Sequence, residues 1–263
     1  MDKIIPTALL KIANEINQNN GRAILVGGVV RDLLLDLPLK DFDVEVYGIS
    51  NFDFLKNILL KYGVVNEVGK AFAVLKFHCS DFEADFAFPR TENKIGKGHK
   101  GFEVIADPNL EFNIAALRRD FTINSMGIDL ITKEFLDPFN GKIDLLENRI
   151  LKHVGPKFIE DPLRVFRATQ FAARFNLAID PETIEIARSC DLTELPKERI
   201  FEEVKKMFLL SKKPSIGLNY WPLLGITKLF PELETIIGVP EEPLWHPEGD
   251  VWTHTLMVVD EMV

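Results

Sequence analysis

The segment DFDVEVY at residues 41–47 alternates polar and apolar residues, and two of its polar residues are aspartates. The alternation predicts a strand over Phe42–Tyr47 with one apolar and one polar face. Asp41 and Asp43 are two residues apart, so their side chains point to the same face. Two carboxylates at short range repel each other unless a cation lies between them. A pair of Mg²⁺ ions fits this arrangement, because hard cations take carboxylate and phosphate oxygens together. The alternative is the exposed face of an ordinary strand.

A glycine pair precedes this strand. Gly27 and Gly28 follow the apolar run Ala23–Val26 and open a short predicted helix, Val29–Leu35. Glycine lets a backbone approach a ligand closely, and the free N–H groups at a helix start favour a phosphate. Arg31 lies one turn inside this helix. The alternative is a tight strand-to-helix turn without a ligand.

Hydrophobic periodicity divides the chain into a mixed part and a helical part. Before about residue 140 it predicts helices at Thr7–Gln18 and Phe52–Leu60, and further strands at Ala73–His78 and Phe82–Phe88. From Gly141 it predicts only helices, at Lys142–Asn148, Asp161–Phe175, Pro181–Cys190, Lys197–Leu210 and from Asp250 onward. The expected class is therefore α+β, with a mixed sheet followed by helices.

Composition sets limits on location and partners. The chain has 263 residues, 46% of them hydrophobic, which is enough for a substantial core. It shows no apolar run of membrane-spanning length and no charged-then-apolar leader, and two separated cysteines read as reduced thiols, so a cytoplasmic location is expected. The net charge of −9 argues against broad nucleic-acid affinity, but Arg90–Lys100 is basic and predicts a flexible loop. Its alternative is a solvated surface loop.

Four motifs together resemble one family. They are VGGVVRDLLLDLPLKDFDVEVYG from Val26, LRRDFTINSMGID from Leu117, EDPLRVFRATQFAARF from Glu160 and LPKERIFEE from Leu195. In this order they resemble class II tRNA nucleotidyltransferases and bacterial poly(A) polymerases, within the polymerase-β-like superfamily. The resemblance implies a nucleotidyltransferase head at 1–140, a base-reading helical neck at 141–200 and the start of a helical body at 201–263.

The same resemblance implies roles for single residues. Gly27, Gly28 and Arg31 would contact nucleotide phosphates, and Asp41 and Asp43 would hold the two catalytic Mg²⁺ ions. A second group comprises Arg118 and Arg119 as a triphosphate or sugar clamp, Asp120 as support for a domain junction and Asp85 as an optional third carboxylate.

A third group of residues would recognise the base. Asp161 and Arg164 are three residues apart, so a helix projects both from one face. A carboxylate can accept from the exocyclic amine of cytosine or adenine while a guanidinium donates to the ring nitrogen. The alternative is a surface ion pair. By resemblance Arg167 also faces the nucleotide, whereas Gln170 replaces a common arginine and leaves one contact in doubt.

The run HPEGDVWTHTLMVVD from His246 resembles the entry to an HD phosphohydrolase domain, with His254 in the position of its first metal ligand. The His-Asp pair and the later aspartate of such a site are absent from the sequence. His246 and His254 are therefore interpreted as helix-surface or core histidines.

The expected reaction is template-independent addition of C and A to the 3′ end of tRNA from CTP and ATP, with release of pyrophosphate. Poly(A) synthesis, or addition of only CC or only A, is the nearest alternative. An HD-type metal-dependent phosphohydrolase and a non-catalytic RNA-binding module are alternatives from other classes. The sequence leaves the oligomeric state open.

Overall fold

The computed structural model describes residues 5–39, 41–49, 51–68, 74–94 and 102–263. The chain forms two compact units, residues 1–143 and 144–263. They are called the first and the second unit below. The finer division of the helical part into a neck and a body stays a prediction.

The first unit is built on a seven-stranded sheet. Its elements are α1 (Thr7–Gln18), β1 (Arg22–Val26), α2 (Gly28–Leu34), β2 (Asp41–Tyr47), α3 (Phe52–Leu60), β3 (Val64–Val68), β4 (Val74–His78), β5 (Glu83–Ala87), β6 (Arg90–Lys94), β7 (Phe102–Ala106), α4 (Phe112–Ala116), β8 (Gly127–Asp129), β9 (Phe135–Leu136) and α5 (Gly141–Ile143).

The sheet has the strand order β3-β4-β5-β2-β1-β8-β9. Among the described strand pairs of this sheet, β2 and β5 run parallel and the others antiparallel, so the sheet is mixed, as expected. The strands β6 and β7 pair separately as an antiparallel ribbon. Strand β2 lies between β5 and β1, so its backbone pairs with a neighbouring strand on both edges.

Alternation along β2 separates the core from the polar face of the sheet. Phe42, Val44 and Val46 are buried. Helix α1 contacts β1, helix α3 contacts β3, and the two helices contact each other and bury apolar residues such as Ile12 and Leu55. Because side chains on a strand alternate, Asp41 and Asp43 face the opposite side.

The predicted α+β class is confirmed, and most predicted elements of the first unit agree with the structure within one or two residues. The prediction of a loop over Arg90–Lys100 is wrong at its start, where Arg90–Lys94 is β6. The glycines at 96 and 98 lie beyond this strand, so they do not prevent pairing. Residues 95–101, which contain most of the predicted basic loop, lie outside the described residues.

The second unit is mainly helical. It contains β10 (Ile150–Leu151), α6 (Leu163–Phe175), β11 (Ala178–Ile179), α7 (Pro181–Arg188), α8 (Lys197–Leu210), α9 (Ser215–Leu218), α10 (Pro231–Glu234) and α11 (Val251–Glu261), with a π-helical turn at Asp144–Asn148. Helix α6 packs against α8 and α9 and is buried on most of its surface.

Two expectations for this unit need correction. The second half is not purely helical, because β10 and β11 form a short parallel pair. Helix α6 begins at Leu163, and Asp161 before it has an extended backbone. Pro162 disfavours helical geometry at the residue that precedes it, which accounts for the later start. Among the described residues, no helix is both long and apolar enough to cross a membrane.

Gly48 terminates β2 in a conformation that tests the packing of the first unit. Its φ is +76°, and a Cβ there would lie 2.7 Å from the carbonyl oxygen of Asn20. We expect Gly48→Ala to lower the free energy of unfolding by about 2–4 kcal/mol, from backbone strain plus a steric clash. Hydrogen exchange of the β1 and β2 amides measures this, because the three tryptophans lie at 221, 245 and 252 in the second unit.

Gly238→Ala is the matched control. Gly238 has a similar φ of +71°, but no atom of the described residues lies within 4 Å of the position of its Cβ. Gly238→Ala should lower the free energy of unfolding by only about 1–2 kcal/mol, from backbone strain alone. Tryptophan fluorescence in denaturant measures this change. Equal losses for the two variants would show that the contact with Asn20 contributes nothing.

Candidate active site on the sheet face

Three carboxylates converge on the polar face of the sheet. Asp41 and Asp43 are exposed on β2, and Asp43 pairs in register with Asp85 on the parallel strand β5. Residues paired directly across two strands point to the same face. Lys76 Nζ lies 3.9 Å from Asp85 Oδ2, so Asp85 has a cationic neighbour of its own.

The environment of Asp43 opposes its ionisation. Burial of the carboxyl group raises the pKa of Asp43, although part of the residue remains exposed. The negative charges of Asp85 and Asp41 raise this pKa further. Arg119 acts in the opposite direction. A cation at this position would relieve the repulsion, so the residues fit a divalent metal ion.

Gly27 brings the backbone up to this cluster. A Cβ at Gly27 would lie 2.9 Å from Arg119 Nη1 and 3.8 Å from Asp43 Oδ2. Its φ of +77° also favours glycine. Gly27 therefore lies where the carboxylate face of the sheet and Arg119 meet, and its lack of a side chain leaves the backbone accessible there. Gly28 in turn lies against the guanidinium of Arg31.

Arg118 and Arg119 share one buried partner, Glu45. Each donates from Nη2 to Glu45 Oε1 at 2.8 Å, and the Tyr47 hydroxyl donates to Oε2 at 2.8 Å. Burial raises the pKa of Glu45, but Arg119 and Arg118 outweigh it and hold the pKa below the ordinary value. Burial and Glu45 raise the pKa of Tyr47, so its hydroxyl stays protonated and donates.

One donor of Arg119 has no hydrogen-bond acceptor among the described residues. Its Nε is buried, while Nη1 and Nη2 donate to the carbonyl of Asn124 and to Glu45. An unsatisfied buried donor of a charged group is costly. A phosphate or sugar oxygen placed beside the guanidinium would satisfy it.

Arg31 has a different environment from the other two arginines. It is buried, donates from Nη1 to the Asn124 side chain at 2.5 Å and forms an ion pair with Asp32 at 2.7 Å. Asn124 in turn donates to Asp120 at 3.0 Å. These contacts connect α2 to the segment after Asp120. A role of Arg31 in phosphate binding stays a prediction.

The predicted base-reading residues lie in the second unit. Asp161 is held by Arg199, which donates from both terminal nitrogens to its two oxygens at 3.3 and 3.0 Å. Arg164 donates to the carbonyl of Lys157 at 2.7 Å. The backbone amide of Leu163 also donates to Asp161 Oδ1, at 3.2 Å. A carboxylate has about four acceptor positions, so with these three donors Asp161 keeps capacity for one more.

Arg167 and Gln170 differ in their surroundings. Arg167 lies 3.9 Å from Glu203 and 5.0 Å above the ring of Phe171, at the surface of α6. Gln170 is only 1% exposed. It occupies a core position, so this side chain does not stand in for a surface arginine.

A separate group of potential ligands lies near the C-terminal helix. One atom from each of Glu241, His246, Glu248 and His254 lies within 4.8 Å of the others. Glu248 Oε1 lies 3.2 Å from His246 Nδ1 and 2.5 Å from His254 Nδ1. Its own backbone and His254 lower the pKa of Glu248 to about 2. The groups therefore satisfy one another as a hydrogen-bonded cluster.

Comparison with known proteins adds to this geometry. Residues 23–152 match the poly A polymerase head domain. The chain is 40% identical over 247 residues to a multifunctional CCA protein of Pseudoalteromonas atlantica, covering 91% of this chain and 58% of that protein. A multifunctional CCA protein of Nitrosospira multiformis is 39% identical, covering 90% and 56%. The chain belongs to the class II CCA-adding enzyme and poly(A) polymerase family. It spans somewhat more than half the length of these relatives.

Solved structures share the fold. The Thermotoga maritima CCA-adding enzyme complexed with tRNA superposes with a TM-score of 0.70 at 23% identity, covering 87% of this chain and 54% of that one. The Bacillus stearothermophilus CCA-adding enzyme in complex with CTP gives 0.64 at 24% identity, covering 78% and 49%.

Sequence reasoning missed several residues of the two sites. Glu45 continues the alternation of Asp41 and Asp43, so the strand pattern contained a signal for it. Asn124 and Arg199 lie within two of the quoted motifs, but no sequence pattern indicated their contacts, because their partners are 93 and 38 positions away in sequence.

The raised pKa of Asp43 predicts a stability effect. When the pKa of a carboxyl group is higher in the folded than in the unfolded state, the protein loses stability as the pH rises through the folded-state pKa. At neutral pH, ionised Asp43 therefore destabilises the metal-free protein. We expect Asp43→Asn to raise the melting temperature by a few degrees without metal. Mg²⁺ or Mn²⁺ should stabilise the wild type but not this variant.

Asp81→Asn serves as the control, because Asp81 is exposed in the turn between β4 and β5 and accepts a hydrogen bond from Ser80. Its response to metal should equal that of the wild type. An unchanged metal response in Asp43→Asn would remove Asp43 from the metal site.

Proposed function

We propose that the protein adds C and A nucleotides to the 3′ end of tRNA without a template, using CTP and ATP. The observation that carries this proposal is the meeting of Asp43, Gly27 and Arg119 at one point of the sheet face, beside Asp41. The names of its relatives, multifunctional CCA proteins, support the choice of tRNA as substrate. A cytoplasmic location is part of the proposal.

Asp41 and Asp43 would hold two Mg²⁺ ions. Bound there, such ions supply activation of the attacking RNA 3′-hydroxyl and stabilisation of the pyrophosphate that leaves. The rest of the site positions the triphosphate. Gly27 admits phosphate oxygens close to the backbone, and Arg119 presents a buried N–H without an acceptor among the described residues. Catalysis of this kind depends mainly on orientation and charge stabilisation.

Selection of the base is assigned to the second unit. Asp161 would accept from the exocyclic amine that cytosine and adenine share, and Arg164 would donate to the neighbouring ring nitrogen. Arg199 holds the Asp161 carboxylate by two hydrogen bonds and so fixes its orientation. Uracil presents an oxygen where the carboxylate lies and is disfavoured by repulsion.

A primer-extension assay tests the activity. The chain is incubated with Mg²⁺ and tRNA that lacks its 3′ end, with CTP alone, ATP alone and both. We expect addition of CC with CTP and completion to CCA with both. Asp41→Asn and Asp43→Asn should each lower incorporation at least a thousandfold, because each removes a ligand of a charged centre.

The other outcomes of this assay are equally informative. Long tails from ATP alone would identify a poly(A) polymerase, and a single A on tRNA that already ends in CC would identify an A-adding enzyme. Retention of tRNA without incorporation would identify an RNA-binding module and overturn the proposal.

The selection step makes a separate prediction. Asp161→Ala should reduce the ratio of kcat/KM for CTP over UTP by roughly ten- to a hundredfold, equivalent to about 1.5–3 kcal/mol for one hydrogen bond to a charged group. The rate with UTP should fall less than the rate with CTP, because repulsion against the uracil oxygen is lost together with the hydrogen bond.

Asp180→Ala is the control for a purely structural role. Asp180 caps α7 by accepting hydrogen bonds from the amides of Glu182 and Thr183, and it lies in the same unit. Its loss should cost about 1 kcal/mol of stability and leave the CTP/UTP ratio unchanged. If Asp161→Ala behaves in the same way, it is a helix-start residue and does not read the base.

A further inference from the structure

Glu45 is a buried acid in the middle of a site that would bind a polyanion. It is 2% exposed, lies two residues beyond Asp43 on the same face of β2, and would add negative charge where phosphates are to bind. Both of its oxygens are engaged. Oε1 accepts from Arg118 and Arg119, and Oε2 accepts from Tyr47.

The two arginines need a common anchor. They are consecutive residues, and consecutive side chains after a helix point in different directions. Two partly buried guanidinium groups also repel each other, and removing them from water is costly. A single carboxylate that accepts from both removes part of this cost and brings the two groups together. Tyr47 fixes the second oxygen, which prevents the carboxylate from rotating away.

We propose that Glu45 is a positioning residue that, through Arg118 and Arg119, prepares the site for the triphosphate. The inference rests on the proposed function, since it takes a nucleoside triphosphate as the ligand. Glu45 itself does not touch the nucleotide in this proposal. Its oxygens point to the arginines and to Tyr47, and Arg119 carries the contact to the edge marked by Gly27 and Asp43.

Two physical effects of removing the charge have opposite signs. By Coulomb's law alone, Glu45→Gln makes the site more positive and should lower the KM for a triphosphate. If Glu45 positions the arginines, the loss of charge-assisted hydrogen bonds loosens the clamp and raises the KM. A lower KM would therefore mean that Glu45 acts only through its negative charge near the triphosphate, and a higher KM that it positions the arginines.

The first experiment measures kcat and KM for CTP and ATP with the full chain and tRNA that lacks its 3′ end. Glu45→Gln keeps the shape of the side chain, and its amide oxygen can still accept from both arginines while its NH₂ group faces the Tyr47 hydroxyl, but the negative charge is lost. We expect the KM for both triphosphates to rise roughly tenfold, because both arginine hydrogen bonds lose the charge on the acceptor that strengthens them. The kcat should change much less. An unchanged or lower KM would overturn the proposal.

A double-mutant cycle tests whether Glu45 acts through the arginines. In the Arg118→Ala, Arg119→Ala background, Glu45→Gln should alter the KM less than about twofold, because no clamp is left to position. A tenfold effect that persists in this background would show that Glu45 acts by another route, and the proposal would be wrong.

Asp129→Asn controls for general loss of stability. Asp129 is also 2% exposed, lies on β8 of the same sheet and accepts from Arg22 Nε at 2.9 Å. The variant therefore also removes a buried charge paired with an arginine, but away from Arg118 and Arg119. It should lower the melting temperature without raising the KM. If Asp129→Asn raised the KM as much as Glu45→Gln, the effect of Glu45→Gln would be explained by lost stability and the positioning role would be wrong.

A second measurement separates this proposal from the proposed function. The side-chain nitrogen signals of Arg118 and Arg119, in protein labelled with ¹⁵N-arginine and assigned with Arg→Lys variants, report rotation of each guanidinium group. We expect restricted rotation in the wild type and fast rotation in Glu45→Gln. Identical signals would overturn the positioning role, whether or not the chain incorporates nucleotides. Absence of incorporation in the wild type with the expected signals would overturn only the proposed function.

Discussion

The balance of charge on one face of β2 governs the organisation of the first unit. Asp41, Asp43 and Glu45 occupy successive outward positions of a central strand whose opposite face lies in the core. The strand cannot shift by one residue without burying carboxylates among phenylalanines and valines. The register is therefore fixed by the core, and the acids must be stabilised where they are. Arg118 and Arg119 neutralise the buried end of this row, whereas the exposed end remains strongly acidic.

The difference in charge pairing along β2 explains why the site contains both fixed groups and groups without a partner among the described residues. At Glu45 the charges are paired and hydrogen-bonded on both oxygens, so that part is stable before any ligand arrives. At Asp43 burial of the carboxyl group and the neighbouring carboxylates raise the pKa, and Arg119 retains a buried donor without an acceptor among the described residues. If the site binds a metal–triphosphate complex as proposed, the metal would relieve the repulsion at Asp43 and a ligand oxygen would provide an acceptor for Arg119. Binding would then recover stability that the free protein lacks.

Local patterns predicted the elements and the chemistry of single strands, but not the pairing between distant segments. The helices at Thr7–Gln18, Phe52–Leu60 and Lys197–Leu210 follow from apolar periodicity alone. The strand at Arg90–Lys94 does not, because its residues are polar and it is stabilised by pairing with Phe102–Ala106. The partner of Asp161 could not be predicted either, because the contact joins segments that are distant in sequence. Arg199 lies on another helix, and only packing of α8 against α6 brings the two together.

In the proposed function, the two units carry different kinds of recognition. In the first unit the candidate groups are charges and backbone positions, which suit phosphate groups that all four nucleotides share. In the second unit the candidate group is a carboxylate held in a fixed orientation by Arg199, which suits a base edge that differs between nucleotides. A hydrogen-bond acceptor of fixed direction discriminates because the wrong base leaves it unpaired or repelled, whereas a charge clamp accepts any triphosphate. Substitutions in one unit should therefore change the rate for all nucleotides together, and substitutions in the other should change the preference among them. The chemistry of transfer and the choice of base can then vary separately within one chain.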